Sequence, residues 1–281
     1  MARADGRDER AIRALHLCRD FHADCASSSC VEIGDNRVLC VVRGPFQLIS
    51  EQRGSRGRVF CAVDVTDSES NSSVAAISGD FLSLALESVA EHVALLEAFP
   101  QLAFSCRLHV LSSDGADLSA LCTALCAALI SAGVELKNLF SAGTAALSCD
   151  GTVILDPTAA ELASSMAFCS VVATASGDIC HVTHKGHTSP SVLSLLMGSA
   201  TEVCMARKDE IKAQLRGGVK SIRLSVWAQS KEQEKQLKRL TNHDVRGVGR
   251  KHRFSTPLMC CQRSEWLLKR LRMLPFLVST W

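Results

Sequence analysis

The sequence predicts an α+β fold, because segments with strand character alternate with segments of helical character. Runs rich in Val, Cys and Ile at 28–33, 37–42 and 58–65 have the composition of strands. The apolar residues of 80–99 recur at the spacing of a helix. From 108 to 158, a strand, a helix of small residues and two short strands follow in order. These observations favour strands and helices that share one core.

The first hairpin and the first helix have recognisable ends. Gly34-Asp35-Asn36 predicts the turn between the first two strands, since these residue types tolerate positive φ. Asp80 is predicted as the N-cap of the helix, which ends at Phe99 before Pro100. The helix is expected to bury one stripe, formed by Leu82, Leu86, Val89, Val93 and Leu96.

The segment 108–158 predicts a strand, an Asp114-Gly115 turn and a helix over 118–131 that ends at Gly133. Two strands then flank Asp150-Gly151, and the second runs into Asp156-Pro157-Thr158. Ser189-Pro190 predicts the start of a last body helix, and Gly217-Gly218 its end. Two further strands are expected before that helix, at 166–174 and 178–183.

The distribution of charge divides the sequence into a mildly acidic body and a basic C-terminal tail. The 281 residues are 47% hydrophobic and 21% charged, as in ordinary soluble globular proteins. Residues 231–281 hold 12 Lys and Arg against 4 Asp and Glu, a net charge of +8, whereas the preceding residues are mildly acidic. We therefore predict a domain over 1–225 and a basic C-terminal extension over 226–281. The extension is either a flexible segment or a source of non-specific attraction to phosphates.

Several classes of site are not expected. The polar N-terminus lacks a secretory signal, and no stretch approaches the roughly 18 apolar residues of a membrane span. The 14 cysteines show no Cys-x-x-Cys spacing, which indicates buried free thiols rather than metal ligands or disulfides. His181 and His184 would lie on opposite faces of a strand, so a metal site there is not predicted. Asp114 and Asp117 are predicted as a turn residue and a helix N-cap rather than an acid–base pair.

A series of motifs spans residues 5–215: Asp5-Gly6-Arg7 with Ile12-Arg13, the stretch 29–34 leading to 38–45, Ser113-Asp114-Gly115, and the stretch 128–134 followed by 150–158. In this order and spacing, they resemble the RNase PH-like proteins, including the eukaryotic exosome ring subunits. The resemblance implies a βαβα domain with a mixed sheet and packed helices. It also implies assembly with other RNase PH-like subunits into a hetero-hexameric ring around a channel for single-stranded RNA, together with RNA-binding cap subunits.

The resemblance also locates a phosphorolytic site, whose charged groups this sequence lacks. The family's phosphate pocket carries Thr-Arg after the Asp-Gly turn, where this chain has Asp117-Leu118. The family's catalytic Asp precedes a Met, and here Ser165 precedes Met166. The arginines that hold RNA on the long helix are also lacking, since no Arg or Lys occurs between Arg58 and Arg107. No catalytic residue, metal or cofactor is therefore expected.

Arg53, Arg56 and Arg58 form the densest cationic cluster of the body, interspersed with glycines. They are either a solvated loop or a set of contacts to RNA phosphates in the channel. The overall prediction is a non-catalytic structural subunit of the exosome ring that supports 3'-to-5' RNA processing and degradation. The resemblance implies residence in the nucleus, nucleolus and cytoplasm. The alternatives are an active phosphorolytic exoribonuclease and a stand-alone homo-oligomeric nucleic-acid-binding protein.

Overall fold

The computed structural model of the chain describes the backbone of residues 3, 5–20, 25–48, 54–65 and 79–244, and side chains as far as residue 217. The two sheets and the helices packed on them, the last helix as far as residue 224, lie within the compact unit of residues 1–224. The boundary predicted at residue 225 stays a prediction.

The first sheet has five strands in the order β1-β2-β3-β5-β4. β4 is parallel to β5, and the other neighbours are antiparallel, so the sheet is mixed as expected. Its inner face carries Val, Ile, Leu and Cys side chains that are buried. The strands are Leu15–Arg19, Ser27–Ile33, Asn36–Gln47, Arg58–Val65 and Leu102–Ser112 for β1 to β5.

The second sheet has four antiparallel strands in the order β7-β6-β8-β9. A short helix, α3 (Ala159–Ser164), connects β7 to β8. β6 and β8 are buried along nearly their whole length, which explains their runs of small and apolar residues. The strands are Phe140–Leu147, Val153–Leu155, Ala167–Thr174 and Ile179–Gly186 for β6 to β9.

Helix α2 (Asp117–Ser131) lies between the two sheets and contacts β2, β3 and β6. Every residue from Leu118 to Leu129 is buried. Ala, Cys, Ser and Thr are frequent on this helix because packing against two sheets leaves little room on either side. Helix α1 (Gly79–Val93) packs on β4 and buries the predicted apolar stripe as far as Val93.

The N-terminal part of helix α4 (Pro190–Asp244) packs on the outer face of the second sheet through Leu196, Ala200, Val203 and Cys204. The helix approaches β6 so closely that a Cβ built at Gly143 would lie 2.3 Å from the Ala200 carbonyl oxygen. Ser141 Oγ also donates a hydrogen bond to the Cys204 carbonyl at 2.8 Å. No described helix combines the length and apolar character that crossing a bilayer requires.

Three predicted helix boundaries were wrong. α1 ends at Val93, and Leu96 belongs to a separate 3-10 helix, Leu96–Ala98. Asp80 lies inside the first turn of α1 rather than at its N-cap. α4 continues past Gly217, which does not adopt the left-handed φ of a helix stop. A glycine inside a helix costs only about 1 kcal/mol, so the surrounding helix formers outweigh it.

Candidate functional site

The Asp114-Gly115 turn connects β5 to α2 and is the centre of the candidate site. Gly115 has φ +73° and Ala116 φ +53°, so the chain turns sharply before the helix begins. A Cβ at Gly115 would lie 2.7 Å from the Ala159 backbone nitrogen. The turn is therefore packed directly against the start of α3. The Asp114 carboxylate accepts a hydrogen bond from that nitrogen at 3.2 Å.

Arg13 lies beside the turn and is buried, and its donors are satisfied by the chain itself. Nη1 donates to the Asp114 carbonyl at 2.8 Å and to the Asp114 carboxylate at 3.2 Å. Nη2 donates to Asp156 Oδ1 at 2.8 Å and to the Gly115 carbonyl at 3.1 Å. Nε donates to Asp156 Oδ2 at 3.2 Å. Because a guanidinium has only five N–H groups, Arg13 retains little capacity for an external anion.

Asp156 joins two buried arginines. It follows β7, has φ +48° and is 1% exposed. Arg207 of α4 is fully buried, and its Nη2 donates to Asp156 Oδ2 at 3.1 Å. Burial of Asp156 disfavours its charge, but hydrogen bonds from Arg13 and the charges of both arginines leave the pKa of Asp156 below its usual value. The carboxylate is thus ionised and holds β7, α4 and the N-terminal segment together.

A second ion pair secures α3 beside this centre. Arg3 donates to the Glu161 carboxylate at 2.8 and 2.7 Å. Glu161 also caps α3, because its carboxylate accepts from the Thr158 backbone nitrogen while Thr158 Oγ1 accepts from the Glu161 nitrogen. Contacts from the N-terminal segment therefore hold residues 155–161 in place.

The structure places the predicted pocket positions 117 and 118 on the first turn of α2. The N-cap is Ala116, so Asp117 is not the cap that was predicted but the first helical residue. Its carboxylate accepts a hydrogen bond from Ser113 Oγ, at 2.8 Å to the nearer oxygen. Leu118 is 4% exposed and belongs to the main core. This position therefore points inward rather than toward an anion at the turn.

Ser165, the other predicted pocket position, caps the C-terminal end of α3. Its Oγ donates to the Leu162 carbonyl at 2.8 Å. Asp114 binds the opposite end of α3, so Ser165 lies roughly 9 Å away along the helix axis. The structure thus brings positions 114, 117 and 165 to neighbouring elements of one region.

The predicted cationic cluster lies elsewhere, and Arg53 is outside the described residues. Arg58 pairs with Ala103 at the start of β5, whereas the Asp114 turn follows the end of that strand, roughly 30 Å away. Arg56 donates to the Glu91 carbonyl at 3.0 Å, and Arg58 Nε lies 3.6 Å from the Glu91 carboxylate. Both arginines remain about half exposed, so they can reach solvent as well as α1.

Two histidines of β9 make local side-chain contacts. His181 Nε2 lies 2.9 Å from Thr183 Oγ1, and the His181 ring packs at a tilted angle against Phe81, with the ring centroids 5.8 Å apart. His184 Nε2 lies 3.3 Å from Thr188 Oγ1.

Most cysteines of the described residues are at least partly buried. Burial raises the pKa of the Cys126 thiol to about 12, so this thiol stays protonated and acts as a small apolar core residue. The expectation of buried thiols fails for Cys18 and Cys149, which are exposed. Within the described residues, no group of three His, Cys, Asp or Glu side chains is placed to hold a metal ion.

The link among Arg13, Asp156 and Arg207 was not predicted from the sequence. One signal for it exists, because Arg207 falls in a row of buried apolar residues on α4. The row is Ala200, Val203, Cys204, Arg207 and Ile211. An arginine in a buried helical stripe requires a charged partner from another element.

Known proteins resemble this chain both in sequence and in fold. The profile of the "3' exoribonuclease family, domain 1" matches residues 11–135. A putative exosome complex component RRP41 of Caenorhabditis elegans is 31% identical over 164 residues, which are 57% of this chain and 68% of that protein. An RRP46 homolog of Arabidopsis thaliana is 27% identical over 171 residues, 60% of this chain and 70% of that protein. The match spans 61–68% of the length of the first three curated relatives.

The fold is also shared with a solved structure. The crystal structure of rice Rrp46 superposes with a TM-score of 0.68 at 24% identity and covers 76% of this chain and 100% of that one. This likeness confirms the α+β RNase PH-like fold. Sequence relatives and fold agree, and the chain belongs to the RNase PH-type 3' exoribonuclease family.

Proposed function

We propose that this protein is a non-catalytic structural subunit of an RNA exosome ring, in which it forms subunit interfaces and part of the wall of an RNA channel. The observation that carries the proposal is that the hydrogen-bond donors of Arg13 are already used within the chain. The buried cation beside the Asp-Gly turn is hydrogen-bonded to Asp114, Gly115 and Asp156 and leaves little for a phosphate nucleophile.

Phosphorolysis brings a phosphate ion to an RNA phosphodiester, so the site must offer cations or dipoles that offset their repulsion. Here the first turn of α2 carries the carboxylate of Asp117 and the buried Leu118. The start of α3 is already filled by the carboxylate of Asp114. An incoming anion would meet negative charge at both places, which argues against phosphorolysis.

Exposed apolar residues on two neighbouring elements favour an interface role. Phe81 and Leu84 of α1 are 41% and 70% exposed, and Ile179 and Val182 of β9 are 47% and 37% exposed. α1 contacts β9, and β9 is an edge strand of the second sheet. Edge strands and clustered apolar side chains are surfaces that proteins usually cover. We propose that neighbouring RNase PH-like subunits cover them in a hetero-hexameric ring.

The relatives' names point to the same assembly, since those proteins are called exosome complex components or exonucleases. We extend the proposal to RNA-binding cap subunits as partners and to single-stranded RNA as the molecule in the channel. We further propose a role in RNA processing and degradation, including ribosomal RNA processing and mRNA turnover, in the nucleus, nucleolus and cytoplasm. Imaging of the tagged protein in living cells tests the location.

The test combines affinity recovery of the tagged full chain with an assay of the purified chain alone. We expect mass spectrometry to identify several other RNase PH-like chains in the recovered complex. We also expect the isolated protein to release no nucleoside diphosphates from RNA in the presence of phosphate. Leu84→Glu should reduce the recovery of partner chains, whereas Leu195→Glu, at a 56% exposed position of α4, serves as the matched control.

Two results would replace this proposal. Phosphate-dependent release of nucleoside diphosphates by the purified chain would establish an active exoribonuclease. Recovery of copies of this chain alone, with RNA, would establish a stand-alone homo-oligomeric RNA-binding protein.

A further inference from the structure

Within the described residues, α1 and α2 pack against the inner face of the first sheet, and its outer face carries arginines, small residues and a phenylalanine ring. Side chains alternate along β3, β4 and β5, so one set is buried against the helices and the other faces outward. The outward set on these strands includes Arg43, Phe60, Ala62, Ser105 and Arg107. We call these five residues the open face.

Arg43 and Arg107 are neighbours on this face. Arg43 is paired with Ser105 across β3 and β5, and Arg107 lies two residues further along β5. Side chains in this diagonal relationship are within reach of each other. Both arginines are exposed. Like charges this close repel, so the arrangement favours an anion that bridges them.

These two arginines differ from other cations of the same sheet. Arg37 lies 3.5 Å from Glu32, Arg58 lies 3.6 Å from Glu91, and His109 lies 3.4 Å from Asp64. In the part of the chain that the structure describes, no carboxylate lies within 4.0 Å of the guanidinium of Arg43 or Arg107. Their charge is therefore available to an external polyanion.

Phe60 adds a flat apolar surface next to the two charges. It is half-buried on β4, pairs with Ser105 and lies diagonally from Arg107. Ser105, which pairs with Phe60, and Ala62, which pairs with Arg107, have small side chains. Arg58 Cζ lies over the same ring, 5.3 Å from its centroid, so a third cation borders Phe60. Aromatic rings beside cations on a sheet are the usual way to bind single-stranded nucleic acid.

We propose that the open face binds single-stranded RNA, with Arg43 and Arg107 contacting successive phosphates and Phe60 stacking on a base. RNA as the ligand rests on the proposed function, whereas the location of the site rests on the geometry of the sheet alone. An acidic protein segment would satisfy the two charges but would leave the aromatic ring without a matching group. The proposal therefore adds an RNA contact surface that is separate from the Asp114 turn.

The test measures the affinity of the purified full chain for a fluorescein-labelled oligouridine of about 12 nucleotides, a length within the range of sheet-borne sites. Arg43→Ala with Arg107→Ala should weaken binding about 10-fold and reduce the slope of log K against log salt by roughly 1.4, since each phosphate contact to a single strand contributes about 0.7. Phe60→Leu should weaken binding about 5-fold without changing the slope.

The control removes two positive charges from cations that are already paired. Arg37 lies 3.5 Å from Glu32 and Lys208 lies 4.0 Å from Asp209, so Arg37→Ala with Lys208→Ala should change affinity less than about 3-fold. This control also accounts for any attraction of RNA to the basic residues 231–281, which both variants keep. Ultraviolet cross-linking of the wild-type complex should label the peptide that contains Phe60.

The proposal is overturned if the Arg43/Arg107 variant binds like the control or if the wild-type chain shows no saturable binding. It is also overturned if that variant keeps RNA affinity but fails to recover partner chains, because the open face is then a subunit interface. A different result separates the two proposals. If the chain binds RNA through the open face but recovers no exosome partners, the proposed ring function is wrong and the RNA site on the open face is supported.

Discussion

Asp156 and Arg207 form a fully buried ion pair, in which Arg207 Nη2 lies 3.1 Å from Asp156 Oδ2. The pair connects the loop after β7 to α4. Arg207 Nη1 donates in addition to the Arg13 carbonyl at 2.7 Å, so the N-terminal segment depends on the same contact. One carboxylate thus fixes three parts of the chain beside the Asp114 turn.

Asp156→Asn should destabilise the protein strongly. The change removes the buried carboxylate that Arg13 and Arg207 share, so Arg13 keeps only Asp114 and Arg207 keeps only Glu210 as an anionic partner. Removing one partner of a buried pair typically costs about 3–5 kcal/mol. Urea unfolding followed by circular dichroism measures the loss. Asp150→Asn removes the same charge from an exposed turn and should cost less than about 0.5 kcal/mol. Equal stability of the two variants would show that Asp156 does not hold these elements together.

Acid should destabilise the protein through the same carboxylates. In the folded state the pKa of Asp156 and of Glu161 lies below the ordinary values of 3.8 and 4.5. The unfolded chain therefore binds protons at a higher pH than the folded chain. These groups contribute stability above their ordinary pKa values, and that stability is lost as the pH falls through the lower folded pKa values.

We accordingly expect a urea midpoint that is level between pH 7 and about 5 and that falls below about 4.5. Glu161→Gln should make the fall shallower, because the glutamine does not titrate. A midpoint that rises on acidification would contradict the assignment of these ionised carboxylates.

The fold was predictable from the sequence where local patterns and packing agree. The stripe Leu82, Leu86, Val89 and Val93 recurs at the helical period and is buried on α1 as expected. β1 (Leu15–Arg19) was missed because five residues give too short an alternation to be distinctive. α3 was missed because six residues with no buried side chain carry no periodic signal, although its capping box, Thr158 with Glu161, was visible in the sequence.

The candidate site was predictable only in part, because ion pairs between distant segments leave no local pattern. The Asp-Gly turn at 114–115 was correct, since its residue types determine the backbone conformation. Arg13 and Asp156 are 143 residues apart in the chain, and only the fold brings them together. Position 118 was interpreted only as the loss of a positive charge. The structure shows in addition that the Leu118 side chain lies in the core.

Gly143→Ala should destabilise the packing of α4 on β6. The added Cβ would lie 2.3 Å from the Ala200 carbonyl oxygen and 2.9 Å from the Cys204 nitrogen, and both are backbone atoms that cannot rotate away. We expect a loss of about 1–3 kcal/mol in thermal or urea unfolding. Gly198→Ala on α4 is the matched control, because no atom from beyond its own helical turns lies within 4 Å of the added Cβ and alanine favours a helix. Its stability should rise by up to about 1 kcal/mol, and a fall as large as that of Gly143→Ala would refute the close approach.

Arg58 should bind RNA more tightly when Glu91, its acidic neighbour, is neutralised. Arg58 Nε lies 3.6 Å from the Glu91 carboxylate, and a half-exposed cation that pairs with an acid contributes less to phosphate binding. Changing Arg53, Arg56 and Arg58 together to Ala should weaken RNA binding by the assembled ring and lower its salt dependence. Glu91→Gln should strengthen that binding about 2- to 3-fold at low salt, with the difference vanishing at high salt. Opposite signs for these two changes in a salt titration would establish the cluster as an RNA contact, whereas unchanged affinity in both would leave it as a solvated loop paired with α1.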